Sequence, residues 1–507
     1  MKQARRSRNG TLFIWVVAFL GLFLLGPIST PAQEGVSDQE ITDAVENELR
    51  YDPAVNPATM DIVTLEGVVT LRGTTTNLLA RERAERIAET VKGVRSVINL
   101  IQVRPPLPRS DDALEDDVEA ALKADPVTES YEVTASVENG AVTLRGIVDS
   151  WTEKQLAGNV ARGVRGVSEL NNEIEVDLTL LRDDEEVEEE VQEVLRWDVL
   201  IDSGLIDVAA EEGHVTLAGV VGSSAEKRRA VTKAHIAGVA SVDASELVVA
   251  RWARDQDLKG ETPFSITDQE ITEAVERALL YDPRVAATDL TITTEDAIVT
   301  LRGQVETLEG WRAAEGVTRN TSGVRMVENR LKVRPRDTLT DPEIQERVED
   351  ALNRNPYLDA NEILVMVVGG IVKLSGSVDS SFQRATADRL ASGISGVVDV
   401  ENLLEVAAME RPLVYDPYLD QMDPRSLTWY RFQPFSPSTT DAAIQAAIEV
   451  EFFWSPFVDG SDINVEVEDG VATLTGTVDS AREREDATEN AYEGGAVWVD
   501  NELVVRR

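Results

Sequence analysis

Apolar and polar positions along this chain follow two periods in a fixed order. Ile41, Val45 and Leu49 recur every four residues and make the stripe of an amphipathic helix. Ser37, with Glu40 three positions on, forms a capping box at its start. Asp52-Pro53 ends it, because proline has no amide to donate and restricts the residue before it. The period then falls to two, with Val69 and Leu71 on one face of a strand and Thr70 and Arg72 on the other. A short turn ending in Gly67 precedes that strand, and a glycine there supplies the positive φ of a tight hairpin. Ala84, Ile87, Ala88 and Val91 return to helical spacing, and Gly93 is expected to close that helix as a C-cap. Val97, Asn99, Ile101 and Val103 alternate along a last strand. The predicted order is helix, strand, strand, helix, strand. This is an α+β module whose two helices cover one face of a three-stranded mixed sheet, the strand-helix-strand part being a right-handed crossover.

The same pattern recurs. The strand motif Val-Thr-Leu-Arg-Gly ends at Gly73, and versions of it end at Gly146, Gly219, Gly303, Gly376 and Gly476. A second glycine follows each at Gly93, Gly166, Gly238, Gly323, Gly396 and Gly495. The helix-stopping proline recurs as Pro53, Pro126, Pro283, Pro356 and Pro456, with Val199 in the third copy. The turn glycine recurs as Gly67, Gly140, Gly213, Gly370 and Gly470, with Ala297 in the fourth. Ser37 to Thr42 and Tyr51-Asp52-Pro53 are echoed by Thr267 to Thr272 and Tyr281-Asp282-Pro283, so the six copies group as two trios. The predicted modules span 37–104, 110–176, 182–250, 267–334, 340–407 and 438–506, with linkers at 251–266 and 408–437.

That order of elements, with Val-x-Leu-x-Gly on the second strand, a glycine after the second helix and Val-x-Asn-x-Leu-x-Val on the third, resembles the BON domain family of osmotic-shock-protection and envelope-maintenance proteins. The resemblance implies residence in the periplasm, no catalytic chemistry, no cofactor, and attachment in some members to phospholipid or other envelope components. It transfers no lipid-binding residue to a position here.

Composition sharpens this reading. Lys2, Arg5, Arg6 and Arg8 precede the apolar run Thr11 to Leu25, and a small-residue stretch ends at Thr30-Pro31-Ala32. Residues 1–32 therefore read as a secretory signal peptide cleaved after Ala32, the alternative being a retained inner-membrane anchor. The chain has no cysteine, so an exported fold cannot rest on disulfides, and thiol catalysis, cysteine metal sites and lipobox acylation are excluded. The formal charge of −43 repels nucleic acid and anionic head groups at long range.

Candidate chemistry is sparse. His214 and His235 cannot build a zinc site without carboxylate help, and neither sits beside a nucleophile. The acidic runs Asp183 to Glu186 and Glu188 to Glu190 flank Val187 and Val191 on a helix and read as a solvated face. No residue is assigned a catalytic, cofactor or metal role, and cation binding is expected to be diffuse at most. Asn99, Asn172, Asn329, Asn402 and Asn501 lie on the inner face of the third strand, with Ala244 in the third copy, and read as structural locks. Tyr51, Trp197, Tyr281 and Trp454 precede the helix-ending turn; in the sixth copy Phe452 takes the leucine slot, leaving Phe453 and Trp454 as surplus aromatics suited to an interface. The segment 408–437 mixes prolines with Trp429, Tyr430, Phe432 and Phe435, and is expected either to fold back over modules five and six or to offer a docking strip. The expected function is a non-catalytic envelope scaffold that binds phospholipid, cell wall or protein and supports osmotic stress tolerance. The alternative is an acidic, ion-responsive or solubilising periplasmic protein.

Overall fold

A computed structural model describes residues 36–506 apart from 53, 56–59, 107–108, 126, 129–131, 178–181, 237, 251, 256–265, 281, 337–338 and 407–439. The expected signal peptide at 1–32 and the aromatic residues of 408–437 lie outside the described residues.

Module one shows how the pattern folds. Its first helix, Asp38–Tyr51, buries Ile41, Val45 and Leu49 against a sheet in which Met60–Leu65 runs antiparallel to Val68–Thr75. The third strand, Ser96–Val103, pairs parallel to Val68–Thr75 on the other side, after the second helix, Leu78–Glu89. Val69 and Leu71 are fully buried beneath both helices. The remaining modules repeat this arrangement. In modules two, three and six the third strand is split in two, as in Glu169–Asn172 and Glu175–Val176. In the 251–266 linker a one-turn helix, Trp252–Asp255, tucks Ala253 into the fold.

The strand glycine at the end of the Val-Thr-Leu-Arg-Gly motif is required sterically. At Gly303 (φ 138°) a Cβ would stand 2.9 Å from the Asp289 carbonyl oxygen, and at Gly146, Gly219, Gly376 and Gly476 it would press closer still on the neighbouring strand's backbone. The later glycine departs from expectation. The second helix of module one ends at Glu89 with Thr90 as its cap, and Gly93 sits in the following turn with φ 94°. A Cβ there would meet Ile41 Cδ1 at 3.0 Å, so the residue serves close approach to the first helix rather than capping.

Each module keeps its own core, as in the cluster of Val187, Val191, Leu195, Val215, Leu217 and Leu247 in module three. Leu78 of module one reaches into the core of module two, and Leu308 does the same between modules four and five. The six modules from Asp38 onward form one compact unit. Three backbone bonds at equivalent positions join the trios in reverse order. The Lys92 N–H donates to the Trp454 carbonyl at 3.2 Å, Arg165 to Arg354 at 2.6 Å and Ser322 to Trp197 at 2.8 Å. Modules one and six, two and five, and three and four are thereby paired, as expected if a two-fold relation exchanged the trios.

Candidate interaction surfaces

Helices meet helices and their connecting turns at the module seams, so the opposite face of the sheets points outward. Arg162 of module two pairs with Glu82 of module one at 2.9 Å, Arg228 of module three with Glu89 of module one at 2.5 Å, and Arg312 of module four with Asp388 of module five at 2.8 Å. Arg319 of module four reaches Glu485 of module six at 3.4 Å. These pairs are half-buried or buried, and each supplies its partner's counter-charge in a desolvated seam.

The outward faces differ in character. In module five the hairpin strand Ile363–Val368 turns Leu364, Met366 and Val368 to solvent, 69%, 60% and 67% exposed. Ile371 and Leu403 extend the same patch, since Val368 pairs with Ile371 and Leu403 with Ser375. Module one presents Val63, Leu65, Ile98 and Leu100 in the same way. In module six the corresponding strand, Ile463–Glu468, shows Asn464, Glu466 and Glu468 instead. An outward apolar strand at a sheet edge is ordinarily avoided, because it invites contact with another surface.

The sequence-predicted aromatic residues fall elsewhere. Phe453 is half exposed, with Lys92 Nζ of module one 4.4 Å above its ring and Trp454 edge-on at 5.2 Å. Both thus lie at the seam between modules one and six. Trp429, Tyr430, Phe432 and Phe435 lie outside the described residues. Trp197 donates its indole N–H to Glu193 at 3.0 Å beside the seam of modules three and four.

The histidines are held structurally. His235 caps the second helix of module three and stacks on Trp151 of module two at 4.0 Å, and burial lowers its pKa, against a hydrogen bond to the Val231 carbonyl. His214 bonds to Ser241 at 2.8 Å. Among the described residues no group of three or more His, Asp or Glu side chains is placed to hold a metal ion, and no helix is long and apolar enough to cross a membrane.

The asparagines act as locks. Asn99 Nδ2 donates to the Arg81 carbonyl at 2.8 Å, while its Oδ1 accepts from the Ile101 N–H at 3.2 Å. Asn172, Asn329, Asn402 and Asn501 repeat both bonds, each tying the third strand to the second helix. In module three, where Ala244 stands instead, Lys227 Nζ donates to the Leu247 carbonyl at 2.6 Å. A second lock was not anticipated from the sequence. The aspartate opening each first helix accepts from two amides of the hairpin turn, as Asp38 does from Glu66 and Gly67 at 2.7 and 2.9 Å. Asp111, Asp184, Asp268, Asp341 and Asp441 do the same. An acid recurring 29 residues before the turn's second residue was the available signal. It also explains part of the run Asp183 to Glu186, where Asp183 caps the helix and Asp184 makes the lock.

Inside the unit, a chamber of about 280 Å³ opens between modules one, two, four and five. Six arginines, Arg83, Arg86, Arg162, Arg312, Arg354 and Arg389, and four carboxylates, Glu82, Asp125, Glu309 and Asp388, line it. The Tyr357 hydroxyl is buried there without a hydrogen-bond partner. Burial pushes its phenol well above the usual range, although Arg83, Arg86 and Arg389 act in the opposite sense, so it remains a proton donor at neutral pH. Burial lowers the Arg389 pKa, while Glu309 favours its charge and Arg86 opposes it. Asp125 is raised to about 7 by burial and by Glu309.

Comparison with protein families accords with the six-module architecture. The BON domain profile matches residues 37–105, 110–177, 183–251, 267–335, 340–408 and 440–507. Osmotically-inducible protein Y of Escherichia coli (strain K12) is 31% identical over 148 residues, covering 27% of this chain and 72% of that protein. Among solved structures, the C-terminal domain of CdsD, the structural protein of the type III secretion system of Chlamydia trachomatis, shares 16% identity with a TM-score of 0.12, over 42% of this chain and 100% of that one. With six profile matches spread along its length, the chain belongs to the BON domain family.

Proposed function

We propose that this protein is a non-catalytic envelope scaffold in the periplasm that binds phospholipid, cell wall or an envelope protein through its outward sheet faces and supports tolerance of osmotic stress. The observation that carries the reading is the apolar outer face of module five, where Leu364, Met366, Val368, Ile371 and Leu403 stand in solvent on a chain of charge −43. Module one offers a second such face, and two weak contacts on one chain reinforce each other through effective concentration. Family membership and the likeness to osmotically-inducible protein Y support the envelope and osmotic parts of the reading.

Flotation of the mature protein with phospholipid vesicles at low and high salt tests it. Binding through apolar side chains survives high salt and is lost in Leu364→Glu/Met366→Glu. Absence of binding to any vesicle removes the lipid partner, and absence of capture by cell wall or envelope extract as well removes the scaffold reading. The acidic composition favours a second reading, in which the charged surface itself responds to ions or keeps the protein soluble. Calorimetry with calcium and potassium tests that reading, and a lack of saturable heat excludes a specific ion response.

A further inference from the structure

The two apolar outer faces, on modules one and five, carry opposite charge. Side chains alternate along each strand, so register and exposure together fix which of them point outward. On module one the charged outward residues are Asp61, Arg72 and Arg104. Arg104 continues the alternation past Val103, since its N–H still donates to the Thr75 carbonyl of the central strand at 2.7 Å. Two arginines against one aspartate leave this face positive, and Arg72 has no ion pair among the described residues. On module five the charged outward residues are Lys373, Asp399, Glu401 and Glu405. Lys373 is taken by Glu401 at 3.1 Å, so Asp399 and Glu405 leave that face negative. A positive margin around apolar side chains is unexpected on a chain of charge −43, and its complement lies on the same chain.

The two faces cannot meet within one copy. The Arg83 guanidinium of module one lies 5.3 Å from the ring centre of Phe382 in module five, and both residues stand on second helices. Helices cover only the inner side of each sheet, so two modules joined helix to helix turn their outer faces away from each other. Complementary surfaces that point apart on one molecule are satisfied by a neighbouring copy, in a heterologous contact that repeats head to tail. Three strands of six to eight residues cover a footprint of roughly 14 by 25 Å. Such a footprint lies at the small end of specific interfaces, where association is weak and reversible.

We propose that copies of this protein associate head to tail, the outer face of module one in one copy seated on the outer face of module five in the next, apolar side chains against apolar side chains and the module-one arginines against the module-five carboxylates. The inference rests on the scaffold reading, since both need these faces to be contact surfaces, and deepens it by naming a second copy as the partner.

Sedimentation velocity on the full mature chain tests it, from about 5 to 500 μM protein for a contact this small and at about 0.5 M salt to screen the repulsion between acidic copies. The parent is expected to sediment as a concentration-dependent mixture of single copies and short chains. Leu65→Glu/Leu100→Glu closes the module-one face and Leu364→Glu/Met366→Glu the module-five face, and all four side chains are exposed, so the fold is kept. Each of these variants alone is expected to remain a single copy, whereas their equimolar mixture forms dimers, because each retains the face the other lacks. Arg72→Glu/Arg104→Glu, which sets like charge against the module-five carboxylates, is expected to weaken self-association by about ten-fold or more. The proposal is overturned if the parent stays a single copy throughout, if either face variant self-associates as the parent does, if the mixture gives no dimer, or if charge reversal changes nothing. A single-copy protein that still binds vesicles or cell wall would remove this inference and leave the scaffold reading standing.

Discussion

Modules five and six are built on the same frame and face the solvent differently. Their hairpin strands pack Ile363, Val365 and Val367 in one case and Ile463, Val465 and Val467 in the other, in identical register against the central strand. Outward, Leu364, Met366 and Val368 answer to Asn464, Glu466 and Glu468. The second helices differ as well: Gln383, Thr386 and Arg389 in module five stand where module six has Glu483, Asp486 and Glu489. Inner positions are dictated by a core that tolerates little change, whereas outer and seam positions are free to specialise. The contrast teaches that what distinguishes one copy from another lies on the two surfaces the core does not constrain.

If the frame is common, breaking it should cost the same in both modules. Gly376→Val and Gly476→Val each drive a side chain into the backbone of the neighbouring strand, and each is expected to destabilise its module by about 3 kcal/mol or more. Denaturant unfolding followed by hydrogen exchange localises the loss to the altered module. Asn402→Ala and Asn501→Ala remove the third-strand lock and orphan the Leu404 or Leu503 N–H, for an expected cost of about 2 kcal/mol each in the same measurement.

pH should separate the two modules. Burial, with its neighbouring carboxylates adding to it, raises Glu483 to about 7 although the Asp459 and Asp479 amides donate to it. Burial raises Asp486 to about 7 against Arg482, and Glu489 rises well above its usual value for the same first reason. A carboxyl whose folded pKa exceeds its unfolded one binds more protons in the folded state, so stability is fullest below about pH 4 for these groups and falls as pH rises toward 7. Protection factors in the helix Ala481–Glu493 should therefore drop between pH 5 and pH 8 more than those in Ser381–Ser392, whose matching positions are Gln383, Thr386 and Arg389. An equal drop in both helices would refute the contrast. The smallest effect belongs to the outer face. Leu364→Asn/Met366→Glu/Val368→Glu, which gives module five the outer side chains of module six, should change stability by less than about 0.5 kcal/mol, because all three side chains are already in water.

Much of the frame was legible in the sequence because it repeats. The helix stripes, the alternation of Val69 and Leu71 against Thr70 and Arg72, and the inward asparagine all carried a period that backbone geometry enforces. The turn at Ala297 is more instructive. The residue adopts φ 62° without being glycine, so the sequence exception marks retained geometry with some strain rather than a different turn. What remained hidden depended on contacts between distant parts of the chain. The carbonyl of Trp454 meeting the Lys92 amide, or the stacking of His235 on Trp151, leaves no local pattern, because one partner lies in another module at no fixed separation. The apolar outer face of module five was visible as the run Ile363 to Val368. Such a run does not alternate between apolar and polar residues, so it carries no mark of which side faces the helices and which faces water.

The most direct test of the outer-face account is vesicle flotation of the Leu364→Asn/Met366→Glu/Val368→Glu protein beside the parent, with melting temperatures measured in parallel. The account predicts an unchanged melting temperature together with loss of most vesicle-bound protein. Binding as strong as the parent's, at an unchanged melting temperature, would contradict it.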